Sequence, residues 1–397
     1  MDVIHQKIIQ PIDRIKTELW DMADNIFDHP EIGLHEFYAS RLLCGFLEKH
    51  GFSVERGIAG LDTAFRAVWQ SGEGGPSIGL LCEYDALEGL GHACGHHAQG
   101  PAILGAAIAL KESLQDKSFR LVIYGTPAEE TTGGKLTMLR EGCFTDIDVA
   151  LMMHLSPTTC VDTHSLAMRK YTVTFTGRSS HAALHPEQGR SALDGLLMMF
   201  HGIEYLREHV MDDVRMHYTV LDAGGPANIV PGKASGRFYL RSRHQKDLSD
   251  IEKRFLNIAK GAALITDTQS AVELEKMLDE KVPVECLNQL LMKYAEQIGA
   301  EEISPPREKT GSSDFNNVQQ IVPGACIRIH FVPRGTASHS QQFLEAGKSC
   351  EAHHAILLAA EILSCTAYDL ICDPMLLESI KENHKSKLKT QMQSNAI

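Results

Sequence analysis

Apolar side chains recur at steps of three and four from Ile8 through Ile12, Ile15, Leu19 and Met22 to Ile26, which predicts a helix over 5–28. "DHPEIGLHE" breaks it. A second helix follows over 36–50, with Leu42, Leu43, Phe46 and Leu47 on one face and Gly51 closing it. The pattern then changes to short, nearly continuous apolar runs. "TAFRAVW", "SIGLLCEYD", "FRLVIYGTPAEE" and "DIDVALMMH" read as strands, the last ending in His154. Between them lie a small-residue helix, "GPAILGAAIALKESL", and a short helix over 135–141. Continuous apolar strands alternating with helices predict an α/β domain with a mixed, largely parallel sheet flanked by helices. Asp85, Glu129, Glu130 and His154 fall at strand C-terminal ends, the edge where ligands bind in open α/β sheets.

The texture changes near Met168. In "KYTVTFTG", polar Thr172, Thr174 and Thr176 alternate with Val173 and Phe175, as in a strand with one solvated face. A helix over 191–208, the strands "RMHYTVLDAG" and "KASGRFYLRSR", a helix over 247–264 and the strand "QSAVELEKM" complete a β-α-β-β-α-β order. That order predicts an inserted ferredoxin-like α+β module. The α/β texture returns after Pro283, with helices over 287–298 and 350–363. The polar tail "KENHKSKLKTQMQSNAI" is expected to fray. The expected domains are 1–167, the insertion 168–281, and 282–397, which completes the first.

A chain of 397 residues suits two or three domains. A net charge of −13 argues against nucleic acid and anionic membrane surfaces as partners, since both need basic patches. No apolar stretch of roughly 18 residues for a membrane span is read, and the charged N-terminus lacks a signal-peptide core. A cytoplasmic location is therefore expected. The 10 cysteines are scattered without a C-x-x-C pair, so most are expected to be reduced, buried apolar groups.

Cys94 is the exception. In "GLGHACGHH", Gly89–His97, it stands among His92, His96 and His97. The glycines resemble a dinucleotide fingerprint, but the preceding strand ends near Glu83, and no acid closes a second strand about 20 residues on. The metal reading is stronger. A thiolate and an imidazole two residues apart, Cys94 and His96, can reach one ion, and they select zinc-like metals over magnesium. Glu129 and Glu130 point in different directions at a strand end. One can ligate while the other faces the open coordination position as a general base. Two solvated loop acids remain the plainer alternative, as a surface role does for most of the 20 histidines.

The motifs "EYDALEGLGHACGHH", "TPAEE", "MMH", "GRSSHAALHP", "GGPANIVPG", "GSSDFNNV" and "SHSQQF" occur in this order. Together they resemble the metallo-amidohydrolase family of aminoacylase and carboxypeptidase G. The match is to its hippurate hydrolase, auxin-conjugate hydrolase and aminobenzoyl-glutamate hydrolase subfamily, over nearly the whole chain. The resemblance implies two divalent metal ions, with zinc placed first and manganese, cobalt or nickel as alternatives. It implies Cys94, His96, Glu130, His154 and His339 as ligands, with Cys94 in place of a bridging carboxylate. It also implies Glu129 as catalytic base, His181 as stabiliser of the oxyanion, and Asn228 as a substrate contact from the inserted module. That module becomes a lid and dimerisation domain, and the chain a homodimer or homotetramer. The implied activity is hydrolysis of an amide in a small N-acyl amino acid, conjugate or dipeptide.

His97 departs from the subfamily, which commonly has Asp or Asn there. It is open as an extra ligand, a group behind the ligands or a wall of the substrate pocket. Glu88 and "TTGGKL" are also unusual. Two rival readings are an inactive metal-binding scaffold and a cysteine hydrolase pairing Cys94 with His92 or His96. Arg178, Arg241 and Arg243 are candidates for a substrate carboxylate, although surface arginines are the commoner case.

Overall fold

The computed structural model describes residues 3–396. Two compact units divide the chain. The first runs to His164 and resumes at Lys281, and the second is Ser165–Glu280. In chain order the strands of the first unit are β1 (Ser53–Arg56), β2 (Phe65–Ser71), β3 (Ser77–Cys82), β4 (Phe119–Gly125), β5 (Val149–Ser156) and β6 (Cys160–Val161). The second unit holds β7 (Ala167–Thr176), β8 (Arg215–Asp222), β9 (Lys233–Ser242) and β10 (Gln269–Leu278), and β11 (Gly324–His330) returns to the first.

The first unit is built on a seven-stranded sheet ordered β1-β2-β4-β3-β5-β11-β6. Its centre, β4, β3, β5 and β11, is parallel, while at the edges β2 pairs with β4, β1 with β2 and β6 with β11 in antiparallel register. All six residues of β3 are buried, because helices cover both sheet faces. Ile78, Leu80, Leu151 and Ile327 pack toward α1 (Val3–Asp28), α2 (Phe37–Lys49), α3 (Gln99–Ser113), and further helices introduced below. Leu81, Val122, Ala150 and Met152 pack toward α4 (Gly134–Arg140) on the other face. The small residues of α3 have a steric cause. A Cβ on Gly100 would lie 2.5 Å from Leu43, and one on Gly105 2.9 Å from Leu19 and 3.0 Å from Ala360.

In the second unit, α5 (Ala192–Arg207) and α6 (Gln245–Thr266) cover one face of an antiparallel sheet ordered β10-β7-β9-β8. Val173 and Phe175 of β7 are buried, while Thr172 and Thr174 are half-buried on the opposite face. This is the β-α-β-β-α-β order of a ferredoxin-like module.

The rest of the first unit comprises α7 (Glu285–Ile298), α8 (Phe315–Val318), α9 (Gln341–Glu345), α10 (Cys350–Cys372) and α11 (Pro374–Ala396). Three expectations are corrected here. β5 continues past His154 to Ser156, so His154 lies within the strand. The polar tail is the helix α11. Leu377, Ile380 and His384 form a sparse buried stripe along it, and His384 Nε2 donates to the Gln319 carbonyl at 2.6 Å. Finally, α10 extends to Cys372 and is long and apolar enough, by length and composition, to cross a membrane. Most of that apolar window is buried inside the fold, where it packs on α1, α3 and α7.

Candidate metal centre

Past β3 the chain turns sharply. Gly89, Gly91 and Gly95 adopt left-handed φ values of 72°, 58° and 88°, which glycine adopts without steric cost. A Cβ on Gly95 would also lie 2.9 Å from Leu155. The turns aim Cys94 and His96 at the C-terminal edge of the parallel strands, where Cys94 Sγ lies 3.6 Å from His154 Nε2. From β4, a buried Ala128 with φ 60° leads into Glu129 and Glu130, and its N–H donates to Glu36 Oε1 at 2.8 Å. His339 is also left-handed, with φ 62°, and its N–H donates to the Ala93 carbonyl at 3.0 Å. Non-glycine residues held in this region mark strain that the surroundings enforce, and such strain clusters at functional sites.

Ligand atoms of Cys94, His96 and His154 lie within 4.8 Å of one another, and so do those of Cys94, Glu130 and His339. Cys94 is common to both sets. His96, Glu129 and Glu130 form a third group at the same spacing, and Glu83, Glu129 and Asp314 a fourth. The donor chemistry fits a cation. His96 Nδ1 lies 3.1 Å from the Asp85 carbonyl and His154 Nδ1 2.8 Å from the Leu155 carbonyl. A carbonyl only accepts, so each Nδ1 carries a proton, and neutral His154 presents an Nε2 lone pair as metal-ligating histidines do. Burial disfavours charge on His96, but Cys94, Glu83 and Asp85 outweigh it and push it well above its ordinary value, so a cation at its Nε2 would displace a proton. Glu130 N–H donates to Asp85 Oδ2 at 2.9 Å. Glu130 Oε1 is buried and accepts no well-formed hydrogen bond, although His339 Nε2 lies 3.3 Å away.

Electrostatics point the same way. Burial, reinforced by Arg328 and His96, pushes His154 down to about 3 and keeps it neutral. Burial pushes Glu130 up, but His339, His96 and Cys94 outweigh it and hold the carboxyl at about 2. The Cys94 thiol is pushed well up by burial. A cation at this spot would offset that cost and hold the thiolate.

Behind the cluster lies a charged network that the sequence reading missed. Fully buried Lys135 donates from Nζ to Glu83 Oε1 and to Asp314 Oδ1, both at 2.6 Å. Glu83 Oε2 accepts from Gln99 Nε2 at 2.8 Å and lies 3.2 Å from His96 Nε2. The signal was present in "TTGGKL", whose lysine opens a helix lodged in the core. A cavity of about 300 Å³ opens in front of the cluster. Its walls include Cys94, Glu129, Glu130, His154, His339, Lys281, Arg307 and Arg328.

His97 is corrected. It does not line this cavity; its fully buried ring packs edge-on against Phe27 at 5.0 Å, and Nε2 donates to the Gly347 carbonyl at 2.8 Å. Burial pushes it down to about 4, so it is a neutral brace tying the loop to the turn before α10. His92 is likewise buried beside it, with ring centroids 5.4 Å apart. In the second unit, His181 and Asn228 sit on adjoining exposed loops. The Ala182 N–H donates to the Asn228 carbonyl at 2.9 Å. His181 Nδ1 accepts from the N–H groups of Ala183 and Leu184 at 3.3 Å, which leaves the proton on Nε2.

An α/β sheet with thiolate, imidazole and carboxylate donors gathered at its C-terminal edge, beside a spare carboxylate, defines a metallohydrolase-type centre. Residues 78–360 match the model of peptidase family M20/M25/M40, and the chain belongs to that family of hydrolases. It is 31% identical to the human Xaa-Arg dipeptidase over 100% of this chain and 95% of that protein. It is 30% identical to a p-aminobenzoyl-glutamate hydrolase polypeptide of Escherichia coli, over 98% and 97% of the two chains. Among solved structures, an aminobenzoyl-glutamate utilization protein from Klebsiella pneumoniae superimposes with a TM-score of 0.75 at 18% identity, covering 90% of this chain and 97% of that one. A dinuclear metal-binding M20 peptidase from Bacillus subtilis gives 0.63 at 18% identity, covering 87% and 98%.

Proposed function

We propose that this chain is a two-metal amidohydrolase that cleaves a small N-acyl amino acid, an aminobenzoyl-glutamate-like conjugate or a dipeptide. The observation that carries the reading is Cys94, shared by two separate ligand sets while Glu129 stands beside both His96 and Glu130. Cys94, Glu130 and His339 would hold one cation, and Cys94, His96 and His154 the other. When bound, the cations supply Lewis acidity, polarising the amide carbonyl and lowering the pKa of water.

The chain's own residues do the rest. Glu129 accepts the proton of water as its oxygen attacks the carbonyl carbon, and returns it to the nitrogen as the C–N bond breaks. The products are a carboxylate and an amine, with no covalent acyl-enzyme. His181, protonated on Nε2, is the proposed donor to the oxyanion, and Asn228 the proposed substrate contact. Both roles rest on the motif resemblance, as does assembly into a homo-oligomer.

Chelation tests the reading. Turnover on a panel of N-acyl amino acids, aminobenzoyl-glutamate and dipeptides should vanish with a chelator and return with zinc, manganese or cobalt. Activity that survives chelation but falls to thiol alkylation would identify a cysteine hydrolase. A metal-loaded protein inert on every substrate would favour a scaffold.

A further inference from the structure

The cavity lining carries two chemically different sets of groups. Around the ligand sets it presents Glu83, Glu129, Glu130 and Cys94. The same lining also carries Lys281, Arg307 and Arg328 beside the carboxylate of Asp162. Asp162 is spent on the arginines. Arg307 donates to it through Nε at 2.9 Å and Nη2 at 2.7 Å, and Arg328 through Nε at 2.7 Å. The terminal nitrogens of Arg328 have no acceptor among the described residues, although the side chain is only 20% exposed. Cys326, also in the lining, adds no charge, because burial pushes its thiol up to about 11.

Position links these cations to the chemistry. Arg328 on β11 pairs with His154 on β5 in the parallel register, so both side chains leave the same sheet face one strand apart. Adjacent strands are about 4.8 Å apart. Burial and the two arginines lower the Lys281 ammonium, so an anion placed here relieves repulsion as well as making hydrogen bonds.

We propose that Lys281, Arg307 and Arg328 form an anion subsite within the catalytic unit that grips a carboxylate of the substrate and selects acidic amides over neutral or cationic ones. This rests on the amidohydrolase reading for its scissile bond, but not for its binding. The probe is N-benzyl-L-glutamate, in which a methylene replaces the acyl carbonyl so that the amine link cannot be hydrolysed. It is compared with its doubly amidated analogue by calorimetry on the metal-loaded protein.

The acid should bind at least about tenfold more tightly than the diamide. Lys281→Met with Arg307→Met should remove most of that preference and leave the diamide affinity unchanged. Arg307→Glu, on a partly exposed loop side chain, provides a second variant and should reverse the preference. No preference in the wild type, or an undiminished preference in the variants, would overturn the subsite. A protein that shows the preference yet hydrolyses no amide overturns the function reading alone. One that hydrolyses amides without the preference overturns the subsite alone.

Discussion

The two sheets of this chain solve opposite problems. The parallel sheet of the first unit is covered on both faces, and β3 has no exposed residue. Its polar chemistry can only gather where the strands end, and there Cys94, Glu129, Glu130 and His339 meet beside His154. The antiparallel sheet of the second unit is covered by helices on one face only, and β8 is exposed along nearly its whole length. Its candidate residues, His181 and Asn228, sit on exposed loops that its core does not constrain. Substitutions at the first sheet's edge should therefore cost far more than those on the second sheet's open face.

The largest effect is expected at Glu129. Glu129→Gln keeps the shape and removes the proton acceptor, so kcat should fall about 10³–10⁴-fold with metal content unchanged. Steady-state rates beside metal analysis check this. Next, His181→Ala should lower kcat about 10²–10³-fold if the second unit supplies an oxyanion donor, with the melting temperature held. A Lys135→Met variant should lose about 3–5 kcal/mol in a urea titration, because Glu83 and Asp314 would remain buried without their cation. Thr219→Val, on the open face of β8, should stay within about 0.5 kcal/mol of wild type in the same titration.

Glu36 adds a pH dependence to the first unit. Burial holds its carboxyl up at about 7 against an ordinary 4.5, despite hydrogen bonds from Thr63 and Ala128. The folded chain keeps this proton where the unfolded chain has released it. The group therefore favours folding below about pH 4.5, and that contribution is lost as pH rises through about 7. Glu36→Gln should flatten the decline in stability across that window, read from urea midpoints at successive pH values.

The apolar runs of β3, β4 and β5 were legible because burial on both faces leaves no polar position to blur them. The gathering of Cys94 with Glu129, Glu130 and His154 was legible in outline, since each follows or ends a strand of one sheet. Lys135 and Arg328 were not. Lys135 meets Asp314 across 179 residues, and Arg328 meets Asp162 across 166, so no local pattern announces either pair. The helix α11 was hidden for a different reason. Its stripe of Leu377, Ile380 and His384 is too sparse to stand out from a polar tail. His97 misled because its neighbours in sequence are ligand candidates, whereas its neighbours in space are Phe27 and Gly347.

The central claim is that one thiolate serves two cations. Counting divalent ions per chain in the wild type and in Cys94→Ala, after equilibration at the same free zinc concentration, tests it most directly. Two ions are expected in the wild type and weakened binding of both in the variant, with fewer than one retained. A Cys94→Ala chain that holds two ions at undiminished affinity would contradict it.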